Sequence, residues 1–184
     1  FVICPDDTAA ENFANDLRSM LHEPVSVLGM RDYTFYPAEA ASRQAEQKRI
    51  GALYRMLCGS EVNVVSVSGL IQRTMPPETL KRAAFTIRAD GSCPPEDVED
   101  ALVRCGYVRT EQVEGPGQFA RRGGILDFFS PADREPVRIE FWGDDIDSMG
   151  HFDVSTQRRT EQADLCTILP AAETLPTLAE GGAE

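Results

Sequence analysis

Four short breaks cut the stretch after Tyr107 into runs that sit too close together to pair in parallel: Gly115-Pro116-Gly117, Gly123-Gly124, Ser130-Pro131 and Gly143-Asp144. A parallel pair needs a crossover of about a dozen residues or more, and these breaks leave no room for one. The stretch therefore reads as an antiparallel meander. Upstream the pattern is the opposite. Val25 to Leu28 and Val62 to Val67 are apolar, strand-like runs, and helical patterns alternate with them. That alternation implies a parallel α/β sheet.

The resulting expectation is an α/β plus α+β chain. Residues 1–81 form a partial parallel α/β subdomain, residues 82–170 an α+β subdomain with an antiparallel sheet, and residues 171–184 a linker or tail that runs into Gly181-Gly182. Phe1-Val2-Ile3-Cys4 reads as a buried parallel strand whose upstream partner is missing, as though the sequence were cut beside a strand. Thr8 with Glu11 forms a capping-box pair for a helix carrying Ala10, Phe13, Leu17, Met20 and Leu21. A second helix over about 42–58 shows Ile50, Leu53, Tyr54 and Leu57 on one face, and Gly59 is its stop. Pro76-Pro77 interrupts the chain. Ala84 to Arg88 is a strand, and Pro94-Pro95 opens a helix that Gly106 ends.

Several kinds of chemistry find no footing. The formal net charge is −12, which argues against a free-standing nucleic-acid binder, since phosphate neutralisation supplies most of that affinity. The five cysteines are dispersed with no C-x-x-C, so they read as small buried residues in a reducing cytosol rather than as a disulfide or zinc framework. No apolar run approaches the ~18 residues of a membrane span. Neither a P-loop nor a Gly-x-Ser-x-Gly elbow is present in these residues. His22 and His151 lie in different units. The acidic groups at 96–100 and 144–147 lack a histidine or cage that would turn them into a metal or acid–base site.

The run Val137-Arg138-Ile139-Glu140-Phe141-Trp142 is the strand that suggests a working surface. Side chains alternate on a strand, so Val137, Ile139 and Phe141 point into a core while Arg138, Glu140 and Trp142 face the other way. The only tryptophan thus stands on a charged face. Two readings remain level on pattern alone: an interface anchor beside an arginine, or a Trp packed on a neighbouring arginine stem with no partner. Residues 118–142 hold four arginines (Arg121, Arg122, Arg134, Arg138) and four acids (Asp127, Asp133, Glu135, Glu140), a neutral stretch in an acidic chain. That balance favours an arginine-bearing surface for an acidic protein partner over a DNA groove.

Longer motifs add a resemblance. Residues 111–129, with Glu114-Gly115-Pro116-Gly117 and Arg121-Arg122-Gly123-Gly124-Ile125-Leu126-Asp127, resemble the bacterial transcription-repair coupling factor family. So do Pro136 to Ser148, Phe152-Asp153, Gln157-Arg158, Ile168-Leu169-Pro170-Ala171 and the helix region from Ala41-Ser42-Arg43 to Arg49-Ile50. UvrB is similar in architecture but differs in the aromatic loop at 33–40 and in carrying an active P-loop.

The resemblance implies a degenerate, helicase-like first subdomain and a second subdomain that binds the repair protein UvrA. Arg122, Arg138 and Trp142 match the contacting positions, with Trp142 standing where the family usually has Phe, and Glu140 and Arg121 lie beside them. It further implies that the segment itself catalyses nothing and holds no cofactor. ATP, magnesium, DNA and RNA polymerase engage other parts of the longer cytoplasmic protein, whose C-terminal domain can mask the docking face. Two other readings stand beside docking: a fragment of a UvrB-type ATPase, and a purely autoinhibitory module.

Overall fold

The computed structural model describes residues 1–21, 23–31, 39–60, 62–131 and 133–175, with side chains from residue 44 onward in the second helix. It mixes helices and strands in parallel and antiparallel sheets and divides into two compact units, Phe1–Pro77 and Glu78–Glu184. The aromatic loop at 33–37 and the glycines of the C-terminal tail lie outside the described residues.

The first unit runs β1 (Val2–Cys4), α1 (Asp7–Leu21), β2 (Val25–Leu28), α2 (Glu39–Leu57), β3 (Val62–Ser66) and α3 (Val67–Ile71). Its strands form a parallel sheet in the order β1-β3-β2, with Val64 opposite both Val2 and Val27. Alternation gives each face its own helix. Cys4, Val25 and Val64 pack with Ala10 and Ala14 of α1, while Leu28 and Val65 pack with Ala52, Leu53 and Met56 of α2. Among the described residues the core on the α2 side contains no β1 side chain, and Ile3, expected to be buried, is 57% exposed. The start of α1 also differs from expectation. Asp6, not Thr8, caps the helix: its Oδ1 accepts a hydrogen bond from the Ala9 amide at 2.8 Å. The end of α2 is as expected. Gly59 takes φ +88°, and the Ser60 amide donates back to the Arg55 carbonyl at 2.9 Å.

Across the unit boundary lies α4 (Pro77–Ala83), a helix where the proline pair suggested only a break. Pro77 occupies the first helical turn, where its missing N–H costs nothing. Next come β4 (Phe85–Arg88), α5 (Pro95–Arg104), β5 (Val108–Arg109), β6 (Gln118–Arg122), β7 (Ile125–Phe128), β8 (Val137–Trp142), β9 (Asp145–Phe152), β10 (Arg159–Gln162) and β11 (Leu165–Ile168).

A six-stranded sheet has the order β10-β9-β8-β7-β6-β5, and its β6-to-β10 portion is the expected antiparallel meander. Two strands depart from it. The loop after Arg109 swings back, so β5 runs parallel to β6, and β11 leaves the sheet to pair with β4. Val98 and Leu102 of α5 are fully buried with Phe119, Leu126, Phe128, Val137, Ile139 and Met149 on the inner face of the sheet. Each such side chain contributes about 1.5–3 kcal/mol by leaving water, which fixes the register of every strand that bears one. Packing also continues into the segment read as a tail: the Ala171 amide donates to the Cys105 carbonyl at 2.8 Å, and Glu173 is buried.

Candidate protein-docking face

Because the inner face is settled by α5 and its core, the register dictates what stands on the outer face. Ala120, Asp127, Arg138 and Gly150 form one cross-strand row; Arg122 is two residues along from Ala120, and Glu140 and then Trp142 lie farther along β8. Four of the five residues singled out from sequence therefore share a face: Arg122, Arg138, Glu140 and Trp142. Arg121 does not. It points to the helix side, where its guanidinium meets Glu96 at 2.6 Å and Glu99 at 3.0 Å, both on α5. These bonds hold Arg121 more firmly protonated, and the same contact lowers the Glu96 carboxyl below its ordinary range. Arg121 is a staple between sheet and helix.

A carboxylate that sequence reasoning only counted lies at the centre of the outer face. Asp127 has a side chain 1% exposed. Arg138 grips it through two parallel bonds, Nε to Oδ1 at 2.7 Å and Nη2 to Oδ2 at 2.8 Å, and Arg122 Nη2 donates to Oδ2 at 2.9 Å. Such forked, charge-assisted pairs are both directional and strong, and this one holds the Arg138 guanidinium more firmly protonated than usual.

Arg138 is further enclosed. It donates to the carbonyl of Gln157 at 3.2 Å and to its side-chain oxygen at 3.4 Å, and its guanidinium lies 4.5 Å from the centre of the Phe152 ring. Gln157 adopts φ +59°, a left-handed conformation that non-glycine residues take at a cost and that this clamp supports. Phe152 joins Val113, Ala120 and Phe129 in a small apolar cluster, so this part of the outer face is closed.

Towards the turns the face opens. Ser148 donates to Glu140 at 2.8 Å, and Arg159 reaches both Ser148 at 2.7 Å and Glu140 at 3.3 Å. Gly150 allows β10 to come this close, since a Cβ there would meet the Glu161 carbonyl at 2.5 Å. Trp142 is 82% exposed, which decides between the two readings of its position: it is not packed on an arginine stem. Arg122 keeps 53% of its side chain in solvent. Two guanidiniums against one buried carboxylate leave the Arg122–Asp127–Arg138 cluster with a net positive charge, on the same face as a bare indole that has Asp145 opposite it. That combination suits recognition of an acidic, partly apolar surface.

Asp127 left a trace in the sequence, as the one charge inside Ile125-Leu126-Asp127-Phe128-Phe129; Ser148 and Arg159 left none, because only the β8–β9 and β9–β10 registers bring them to Glu140. Among the described residues no group of three or more His, Cys, Asp or Glu side chains could hold a metal ion, and no helix is long and apolar enough to cross a membrane.

The sequence of residues 85–173, which includes every residue of this face, matches the UvrB interaction domain. Along nearly its full length the chain is also similar to three proteins described as transcription-repair-coupling factors. It is 30% identical to that of Bacillus subtilis over 94% of this chain, 31% to that of Myxococcus xanthus over 95%, and 30% to that of Escherichia coli over 89%. The chain spans about 15% of the length of each of these relatives.

Proposed function

We propose, for a chain that belongs over residues 85–173 to the UvrB interaction domain family and corresponds to a segment of the transcription-repair-coupling factors, that its outer sheet face docks the repair protein UvrA and so brings it to a stalled RNA polymerase. The observation that carries this is Trp142, 82% exposed on the same sheet face as a half-exposed Arg122, on a strand whose other residues are tied down. An aromatic left bare on an arginine-bearing face is the composition of an interface centre, where a few such residues carry most of the binding energy.

In this reading the segment makes and breaks no bond. Arg122 pairs with acids on UvrA, Trp142 fills a shallow apolar site, and Glu140 with Arg159 forms a polar rim. The first unit is a helicase-like scaffold without nucleotide chemistry of its own. ATP and magnesium, DNA and polymerase contacts, and masking by a C-terminal domain belong to the longer protein.

The test is a titration of UvrA with this chain and with its Trp142→Ala variant. Loss of about 2–4 kcal/mol of binding is expected, with an unchanged circular dichroism spectrum. Equal affinity of the two forms rejects the reading, and ATP turnover by this chain would favour a UvrB-type ATPase instead.

A further inference from the structure

The outer-face arginines differ in what they have left to offer. Arg138 has spent its donors on Asp127 and on Gln157, lies against Phe152, and keeps only 17% of its side chain in solvent. Arg122 makes a single bond to Asp127 and presents the rest of its guanidinium outward. The carboxylate between them is buried on β7, the strand flanked by β6 and β8, and meets both guanidiniums through the same oxygen, Oδ2.

From this geometry we infer that Asp127 is a positioning residue of the docking face: locked by Arg138, it holds the Arg122 guanidinium in the orientation that a partner's carboxylate meets. This rests on the reading of the face as a UvrA-docking surface. Arg138 acts in the same way, through Asp127, and the direct contacts fall to Arg122 and Trp142.

The physical gain is preorganisation. A free arginine on a strand end samples many rotamers and loses them on binding. One already tethered by a carboxylate that cannot itself move has lost them in the free protein. The tether does not cancel the positive charge of Arg122, because Arg138 supplies the counter-charge that Asp127 requires.

Asp127→Asn alone leaves the enclosed Arg138 without its counter-ion and can fail to fold. The paired variant Asp127→Asn with Arg138→Gln carries the test, since it removes both charges and leaves hydrogen-bonding groups in their place. UvrA affinity is measured for the wild-type chain, Arg122→Ala, Trp142→Ala, the paired variant, and the paired variant combined with Arg122→Ala, each with its thermal unfolding midpoint.

The expected result is that the paired change weakens binding about two- to tenfold when Arg122 is present and not at all when Arg122 is already alanine. A merely structural role would give the same loss in both backgrounds. If Arg122→Ala and Trp142→Ala weaken binding while the paired variant binds as the wild type does, or loses equally in both backgrounds, the positioning role is wrong and the docking face stands. If neither Arg122→Ala nor Trp142→Ala weakens binding, the docking reading itself fails, and the positioning role with it.

Discussion

Arg121 and Arg122 are consecutive on one strand and belong to different parts of the molecule. Arg121, on the inner side, answers Glu96 and Glu99 of α5 and joins sheet to helix. Arg122, on the outer side, hangs from buried Asp127 and is half in solvent. The residue type is the same and the sequence separation is one; the two-residue period of the strand decides which arginine serves the fold and which can serve a partner. The sheet face and the connection before β8 also treat carboxylates differently. Asp127 on the outer face is matched by two guanidiniums, whereas the side chain of Asp133, in the connection before β8, has an Oδ2 with no hydrogen-bond partner among the described residues.

The contrast can be broken most severely at Asp127. Asp127→Ala leaves Arg138 charged and enclosed, and a loss of about 3–5 kcal/mol in unfolding free energy is expected from chemical denaturation. Loss of under about 1 kcal/mol would mean that the outer cluster is no more than a surface pair.

Asp133 should respond with the opposite sign. Burial pushes its carboxyl up to about 6, with nearby His151 pulling it partly back. Between the ordinary carboxylate range and about pH 6 the folded state therefore holds a proton that the unfolded state has lost. Its contribution to stability is intact below the ordinary carboxylate range, declines as pH rises to about 6 and is level above that. Asp133→Asn abolishes this decline and is expected to stabilise the chain at neutral pH by roughly 3 kcal/mol, at about 1.4 kcal/mol for each pKa unit. A variant with the same pH profile of unfolding as the wild type would contradict the assignment.

The smallest effect belongs to Arg121→Ala. The exposed Glu96 carboxyl, lowered by its bond to Arg121, contributes above the ordinary carboxylate range and loses that contribution as pH falls through its lowered folded value. The stability difference between Arg121→Ala and the wild type is expected to be the smallest of the three; the part that comes from exposed Glu96 shrinks in acid and in high salt, while the part from the less exposed Glu99 persists in salt. UvrA affinity should not change.

Much of this arrangement was legible from residues alone. Apolar alternation in Val137 to Trp142 assigned inner and outer sides correctly, with Val137 and Ile139 fully buried and Trp142 exposed. The same alternation separates Arg121 from Arg122, but grouping them as one basic surface overlooked it. What could not be read depends on register between distant segments. The pairing of β7 with β8 sets Asp127 opposite Arg138, and the bulge between β9 and β10 brings Arg159 to Glu140; no local pattern encodes either. The cap of α1 and the helix at Pro77 were missed for a different reason. Several residues there have the right chemistry, Asp6 as well as Thr8 for a cap and Pro77 for a start as well as a stop, and packing chooses among them.

Titration of UvrA with this chain carrying both Arg122→Ala and Trp142→Ala, alongside Arg121→Ala as the inner-face control, tests the central claim most directly. The outer-face pair is predicted to lose binding by at least a hundredfold, the equivalent of about 2.7 kcal/mol, while its unfolding midpoint stays near that of the wild type and the control binds normally. Undiminished binding by the outer-face pair, or equal loss in the control, would contradict it.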